Sequence, residues 1–593
     1  MKLVIAEKPS VAMSLAKVLG AKSRKESYME GGGYLVSWCV GHLAGLAAPE
    51  VYNKNYAKWR REDLPILPGN SWRMTIAAST KKQFAILQEL MRRDEVDEVI
   101  NACDAGREGE LIFRSVYCLA GCSKPVKRLW INSMEESAIR VGFANLKPGE
   151  EYEGLYRAAL CRAKADWLVG INGTRLFSLL YGRTLHVGRV MSPTLALTVA
   201  REAEIAAFQP EKFYTVEVEA KNLKLTSERM ADKKAAEALA AACRQENITI
   251  KSAERQKKED KPPMLYDLTA LQREANRRLG YTAKQTLDYL QALYEKKLVS
   301  YPRTDSRYLT GDMASVVPDL AEIASVVCGL KAPGEILSAQ VCNSAKVSDH
   351  HALVPTKSLT PDKVAELPKG EAAVLGLVCF GLLRAVAAPC RYAQIKITAE
   401  CGGAVFTASV KEMLDYGWQQ YCPKDKVLEQ FSGEVVAGQT RQVENVAVKQ
   451  GKTEPKAHYT EDTLLAAMER VGAKDIPIGT ARKGIGTPAT RAGIIEKLVN
   501  VGLLERKKGK KAANLLPTQL GKALITVLPE ELQSPLLTAE WEQKLLEVER
   551  GNLPEDEFMQ LIADMVGGLV ANSKAVQGVE VLFPPVQRRS ANG

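Results

Sequence analysis

Unbroken apolar runs, each followed by apolar residues at helical spacing, mark the first 120 positions. KLVIA (2–6) is such a run, and in EKPSVAMSLAKVLG the apolar residues recur at helical spacing, which predicts a strand, a tight turn and a helix. DEVINACDAGREGELIFRSVYCLAG (97–121) repeats the pattern, with DEVINAC as the strand and the helix starting near Arg107. Units of this kind build a doubly wound parallel sheet, in which ligands collect at the carboxyl ends of the strands. Glu7, Asp104 and Glu108 fall there.

Further along the pattern changes. EEYEGLYRAALCRAKADWLVGINGTRLFSLLYG (150–182) is helical by spacing, whereas FYTVEVEAKNLKL (213–225), RYAQIKITAE (391–400) and AVFTASV (404–410) alternate as half-buried strands do. The three alternating stretches predict one β-rich domain. Between them lies a mostly helical insertion, 264–390, reached through the charged ERQKKEDKPP (254–263), which reads as a hinge. TPATRAGIIEKLVNVGLLERKKGKKAANLLPTQLGKAL (487–524) has the order helix, helix, β-wing of a winged helix. Thr490 and Arg491 sit where a helix opens, a natural place for phosphate contact. The tail after Ser573 is polar and Pro-containing, and disorder is expected. These boundaries divide the chain into 1–150, 151–210 with 455–575, 211–263 with 391–454, 264–390, and a tail 576–593.

Composition narrows the classes. At 593 residues several cores are expected, and a net charge of +11 favours a polyanionic partner. The 12 cysteines are scattered, Cys118 and Cys122 lack a second pair, and none follows Cys422, so neither a zinc site nor disulfides are expected and the compartment reads as cytoplasmic. MKLVIAEKPS is not a signal peptide, and the apolar stretch before Arg384 is too short to span a bilayer. KQGKT (449–453) contains the GKT of a phosphate loop, but Val446 stands where its first glycine belongs, so no ATP site is expected.

VSYPRTDS (299–306) reads as a short strand broken by Pro302, which steers Tyr301 out of the helical region. Arg303 carries a fork of donors suited to a phosphate, with Asp305 as its ordinary partner. At the first domain, carboxylates gathered at strand ends suit a divalent cation that itself holds a phosphate oxygen, and Lys8 supplies charge to the same phosphate. EKPS after the first strand and DxxREGE after a later one resemble a Toprim domain. The usual pattern of that family is DxDxE, whereas position 106 is glycine here.

Read with YPRTD, the chain resembles a type IA DNA topoisomerase of the topoisomerase III branch. The similarity runs through CVGHLAG (39–45), RAKADWLVGINGTR (162–175), HVGRVMSPTLAL (186–197), SDHHALVPT (348–356), GIGTPATRAGIIEKL (484–498) and LTAEWEQKL (537–545). It implies a multidomain α/β, α and β chain: a Toprim domain, winged-helix-like helical domains and a β-rich arch closing a ring. The implied activity is ATP-independent cleavage of single-stranded DNA through a 5′-phosphotyrosine, strand passage and resealing, which relaxes or decatenates DNA. A Toprim nuclease or primase, or an inactive single-stranded DNA-binding protein, is the alternative.

Residue by residue, the resemblance makes Tyr301 the nucleophile, Arg303 and Lys8 the cations, and Glu7 the acid that protonates the leaving 3′-oxygen. Mg²⁺ falls to Asp104 and Glu108 with Glu7 beside them, and Glu110 is a weaker substitute. DNA contacts fall to the stretch His186, Val187, Gly188, Arg189, Val190 and Met191, with methionine where the family has glutamine. Arg175, Arg183, His350, Thr490 and Arg491 join them, and His42, Asp305 and His351 are further candidates. The implied partners are single-stranded, underwound or catenated DNA and a helicase or single-strand binding protein. A monomer, associated with the nucleoid and with no membrane partner, is expected.

Overall fold

The protein is described by a computed structural model covering residues 1–131, 134, 136–347, 350–422, 435–471 and 484–583. Leu3, Val4, Ile5 and Ala6 are fully buried because the strand Lys2–Ala6 lies at the centre of a seven-stranded sheet covered on both faces. It pairs in parallel with Tyr34–Trp38 on one side and Glu98–Ala102 on the other, and Val126–Arg128 continues the parallel set. Leu3, Ile5 and Val99 pack under the helices Lys81–Arg92 and Arg107–Ala120; Val4, Ala6 and Ile100 pack under Pro9–Leu19. The register sets Ala6 beside Ala102. The two chains therefore leave the sheet together, carrying Glu7 and Asp104 to one edge.

A 29-residue helix, Glu153–Tyr181, shares a core with Met191–Ala207, Gln519–Val527, Pro535–Glu549 and Glu555–Asn572. Stretches more than 300 residues apart thus form one helical body. Beside it stand the helices Glu461–Arg470 and Pro488–Asn500 and an antiparallel wing, Leu504–Lys507 with Asn514–Pro517. The expectation of disorder beyond 576 does not hold for residues 576–583, because Phe583 is buried and stacks on Tyr181 at 4.6 Å. Residues 584–593 lie outside the described ones.

A second seven-stranded sheet, antiparallel throughout, draws strands from Lys212–Asp260 and Cys390–Lys452 and packs on the helix Lys233–Gln245. The expected hinge at 254–263 is mostly strand. Ile248–Asp260 pairs with Cys390–Cys401 out to the pair Asp260 and Cys390. Its outer half is largely exposed, so charged residues occupy it and its composition imitates a linker. The insertion leaves after Asp260 and returns at Cys390. Its helices Leu268–Leu279, Ala283–Glu295, Val317–Cys328 and Lys369–Val386 enclose a separate core that includes Leu271, Leu290, Leu320 and Leu382. VSYPRTDS is not a strand: only Val299 forms a bridge, to Pro355. Among the described residues, no helix is long and apolar enough to cross a membrane.

Candidate active site

Glu7 follows the central strand directly, and Lys8 is the extended residue that caps the helix Pro9–Leu19, with Pro9 at its first position. A proline is tolerated there because its missing N–H would have had no partner. Asp104 lies two residues beyond the neighbouring strand. Gly109 presses against it so closely that a Cβ would stand 2.0 Å from the Asp104 carbonyl oxygen. Only glycine permits that approach.

Two segments of the inserted domain complete the site. Ser300 N–H donates to the Val354 carbonyl, Ser300 Oγ to that of Ala352, and Thr304 Oγ1 to that of His350 at 2.8 Å. This pairing lays the His350 ring 4.0 Å, centre to centre, from that of Tyr301. Tyr294 meets Tyr301 edge-on at 5.4 Å. Lys8 Nζ donates to the Tyr301 hydroxyl at 3.1 Å and lies 4.8 Å from its ring centre, while the hydroxyl donates to Asp104 Oδ2. Lys8 is also 3.5 Å from Glu7 and 4.0 Å from Asp104. Thus Glu7, Lys8, Asp104, Tyr301 and His350 form one cluster, drawn from two domains.

Burial, and then the charge of Asp104, raise the Glu7 carboxyl to about 7. Burial also pushes Asp104 upward, but Lys8 and the bond from Tyr301 outweigh it and leave this carboxyl below its usual range. Burial first, and then Asp104 and Glu7, hold the Tyr301 phenol well above its ordinary value; the Arg303 charge opposes them. Before a phosphate arrives the two carboxylates outweigh the cations, so Tyr301 is neutral. Arg303 itself is exposed beside the cluster. Burial lowers His350 to about 4, so it too is neutral near pH 7.

Several expected roles are redistributed. Glu108 is not gathered with Glu7 and Asp104: it accepts from Arg162 and pairs with His42 Nε2 at 3.2 Å. Among the described residues no three Asp, Glu, His or Cys side chains form a group able to hold a metal ion. Glu110 is no ligand substitute. It is buried against Arg128 at 2.7 Å, with Asn101 donating to it at 2.9 Å. The pair Glu7 and Asp104 does suit a hard cation, because Mg²⁺ is commonly held by one or two carboxylates with waters and substrate phosphate completing its shell.

Of the expected DNA contacts, Arg189 is buried, bonded to Asp166 at 2.8 Å and 3.5 Å from Glu542. Arg175 is buried with its guanidinium on the Tyr56 carbonyl, and Arg491 is buried against Ile485, Thr269 and Glu469. Internal partners outbid solvent for all three, which an unpaired reading of the sequence does not register. Val187 and Met191 belong to the helical core. Thr490 is exposed and its hydroxyl is engaged with Thr487 in a capping box. Gly188 N–H is taken by Ser192, His186 and Arg183 are half-buried, and Val190 packs beside the core of the winged unit. Asp305 is exposed, and His351 is buried with Nδ1 2.9 Å from the Ala352 carbonyl. Ser348 and Asp349 of SDHHALVPT lie outside the described residues. Arg162 and Tyr294 are the side chains that sequence reasoning missed. RAKAD offered the first only as one arginine among many, and nothing local marked the second.

The profile of the DNA topoisomerase family matches residues 150–560, and that of the Toprim domain matches residues 2–134. The chain is 41% identical over 608 residues to the DNA topoisomerase 3 of Shouchella clausii (strain KSM-K16), covering 97% of this chain and 81% of that protein. It is 39% identical to the DNA topoisomerase 3 of Bacillus licheniformis, covering 94% and 80% of the two chains. The full-length topoisomerase I structure from Thermotoga maritima superposes with a TM-score of 0.75 at 21% identity, covering 96% of this chain and 90% of that one. At that identity the last likeness speaks to fold alone.

Proposed function

The chain belongs to the type IA DNA topoisomerase family, and from that membership we propose that it cuts, passes and reseals single strands of DNA through Tyr301. The observation that carries the assignment is the contact of Tyr301 with Lys8 and Asp104, made between the inserted domain and the Toprim domain. In the reaction the phenolic oxygen forms a bond to phosphorus as the bond from phosphorus to the 3′-oxygen breaks. The phenol already points its proton at Asp104. Glu7, with its carboxyl near 7, keeps a proton available for the departing 3′-oxygen. Lys8 and Arg303 neutralise charge that grows on the phosphoryl oxygens. One ester replaces another of similar energy, so resealing draws on no nucleotide.

Toprim domains generally bind Mg²⁺, and here Asp104 would hold it, with Glu7 adding its carboxylate once its proton has gone to the 3′-oxygen and Glu108 joining once it leaves Arg162 and His42. When bound, the ion supplies positive charge against a phosphate oxygen. In this reading 264–390 is the gate, 211–263 with 391–454 the arch, and 151–210 with 455–575 the helical body that seats the cut strand. The enzyme works as a monomer on unpaired, underwound or catenated DNA, with a helicase or single-strand binding protein supplying unpaired regions.

Denaturing a reaction with detergent tests the assignment. The protein should be recovered joined to a 5′ DNA end, and Tyr301→Phe should abolish the adduct while leaving single-strand binding within a few fold. An adduct that persists in Tyr301→Phe would remove Tyr301 from its role.

A further inference from the structure

Glu108 lies in the first turn of the helix Arg107–Ala120, which starts beside the cutting site. The next residue, Gly109, presses on the Asp104 carbonyl, so the backbone that carries Glu108 already lies against the backbone that carries Asp104. The Glu108 carboxylate is nevertheless engaged elsewhere. One oxygen accepts from Arg162 of the long helix Glu153–Tyr181, and the other stands 3.2 Å from His42 Nε2.

His42 belongs to the loop after the strand Tyr34–Trp38, and its neighbour Gly41 donates its N–H to the Glu7 carbonyl at 3.3 Å. The held carboxylate and the two acids at the strand ends thus share one edge of the sheet. Glutamate has several rotatable bonds, so bringing Glu108 to Asp104 is a change of rotamer and not of fold.

The hold is open to water. The side chains of Glu108 and His42 are each 49% exposed, and Arg162 keeps 20%. Ion pairs this exposed contribute little and exchange readily. Fastening the sheet domain to the helical body does not depend on them, because Arg107, next to Glu108, is tied to Glu542 at 3.5 Å and Glu549 at 2.5 Å. Among the described residues, Arg162 pairs with no acid but Glu108. A guanidinium fork that gives up a carboxylate can take a phosphate in the same bidentate manner.

We propose that Arg162 and His42 withhold Glu108 from the cation site until a phosphate of the incoming strand takes its place on Arg162. Arg162 is then a positioning residue, acting through Glu108, which swings to Asp104 and completes the carboxylate set as DNA arrives. By linkage, strand and cation each bind more tightly in the presence of the other. The part played by the strand rests on the function proposed above, whereas the hold on Glu108 stands on geometry alone.

Binding of Mn²⁺, a paramagnetic stand-in for Mg²⁺ with the same preference for carboxylate oxygens, tests the hold through loss of the free-ion resonance signal. Every protein compared carries Tyr301→Phe, so that an added strand is not cut. Without DNA, Arg162→Gln should bind Mn²⁺ about fivefold more tightly, the low end of coupling between sites, because Glu108 is released. His42→Ala should shift the affinity in the same direction. Either change combined with Glu108→Gln should leave the affinity within about twofold of Glu108→Gln alone, since the gain runs through that carboxylate. Saturating octathymidylate should tighten Mn²⁺ binding, and by a smaller factor in Arg162→Gln. A DNA-free affinity unmoved by Arg162→Gln, a gain that persists beside Glu108→Gln, or an equal effect of the strand with and without Arg162→Gln overturns the proposal. A wild type that forms no 5′ adduct would instead remove the proposed function and leave the DNA-free comparison standing.

Discussion

Lys8 Nζ and the Tyr301 hydroxyl, 293 residues apart in the chain, stand 3.1 Å from each other and close the inserted domain onto the parallel-sheet domain. The same ammonium reaches Glu7 and Asp104, so one cation serves three groups of the site. Lys8→Met keeps the stem and removes the charge. Single-turnover cleavage of a short unpaired strand should fall about 10²- to 10³-fold, the usual loss for one donor aimed at developing charge. Equilibrium binding of the same strand should change little. A comparable loss of binding would move Lys8 from the chemical step to the docking step.

Glu7 predicts a pH profile. Its carboxyl sits near 7 in the folded protein, above its ordinary 4.5, so its proton is present below neutrality and leaves as pH rises through that value. Cleavage limited by this acid should hold level below pH 7 and then fall roughly tenfold per pH unit, in proportion to the remaining protonated carboxyl. Glu7→Gln should be slow and flat over the same range. A cation beside Asp104 lowers the midpoint, so the wild-type profile in Mg²⁺ should shift to lower pH than the profile in chelator. Coincident profiles would separate Glu7 from the metal.

Gly106 caps the helix Arg107–Ala120 with φ 167° and ψ 176°, extended backbone that any residue adopts. Gly106→Asp should therefore fold. An aspartate there restores the carboxylate of DxDxE and should reduce the Mg²⁺ needed for half-maximal relaxation of a supercoiled plasmid. Gly106→Asn supplies the same helix cap without the charge and controls for added helix stability. A requirement that moves equally in both variants would assign the effect to the helix.

Glu110 gives the opposite expectation. Its partner Arg128 is almost fully buried and also donates to the carbonyls of Asn101, Cys103 and Asp104. Glu110→Ala leaves that guanidinium without its counter-charge and should cost about 3–5 kcal/mol in chemical denaturation of the sheet domain. The Mg²⁺ requirement of the protein that remains folded should not change. A shifted metal requirement at unchanged stability would return Glu110 to the ligand set.

The parallel sheet was legible because apolar runs and helical spacing are local signals, and with them came Glu7, Lys8 and Asp104 at the strand ends. Tyr301 and His350 were legible as motifs, but their stacking depends on Ser300 and Thr304 reaching across to 350–354, a pairing with no local pattern. The arginines misled. Arg175, Arg189 and Arg491 look like surface cations in a basic chain, and only the fold brings Tyr56, Asp166 and Glu469 to them. The engagement of Glu108 was hidden for the same reason, since Arg162 lies 54 residues away. The charged stretch at 254–260 shows the limit of composition: alternation is the strand signal, and an exposed ribbon has no apolar face to supply it.

The insertion's exit at Asp260 and return at Cys390 face each other as partners in one antiparallel pair. Topologically, then, the 261–389 segment is the tip of a very long hairpin, and a short turn between those two positions would close the sheet without it. The segment encloses most of an apolar core, to which Tyr421 is added from beyond the return strand, and it lends Ala283 to the core of the winged unit: excised, it should fold as a helical unit carrying Tyr301 but less stably than in the whole chain, and the shortened chain should keep its sheet. Mixing the two pieces turns an intramolecular docking event into a bimolecular one, whose dissociation constant sums the Lys8–Tyr301 contact with those the segment makes to the winged unit, Arg273 to Asp462, Ala283 to Glu461 and Thr269 to Arg491.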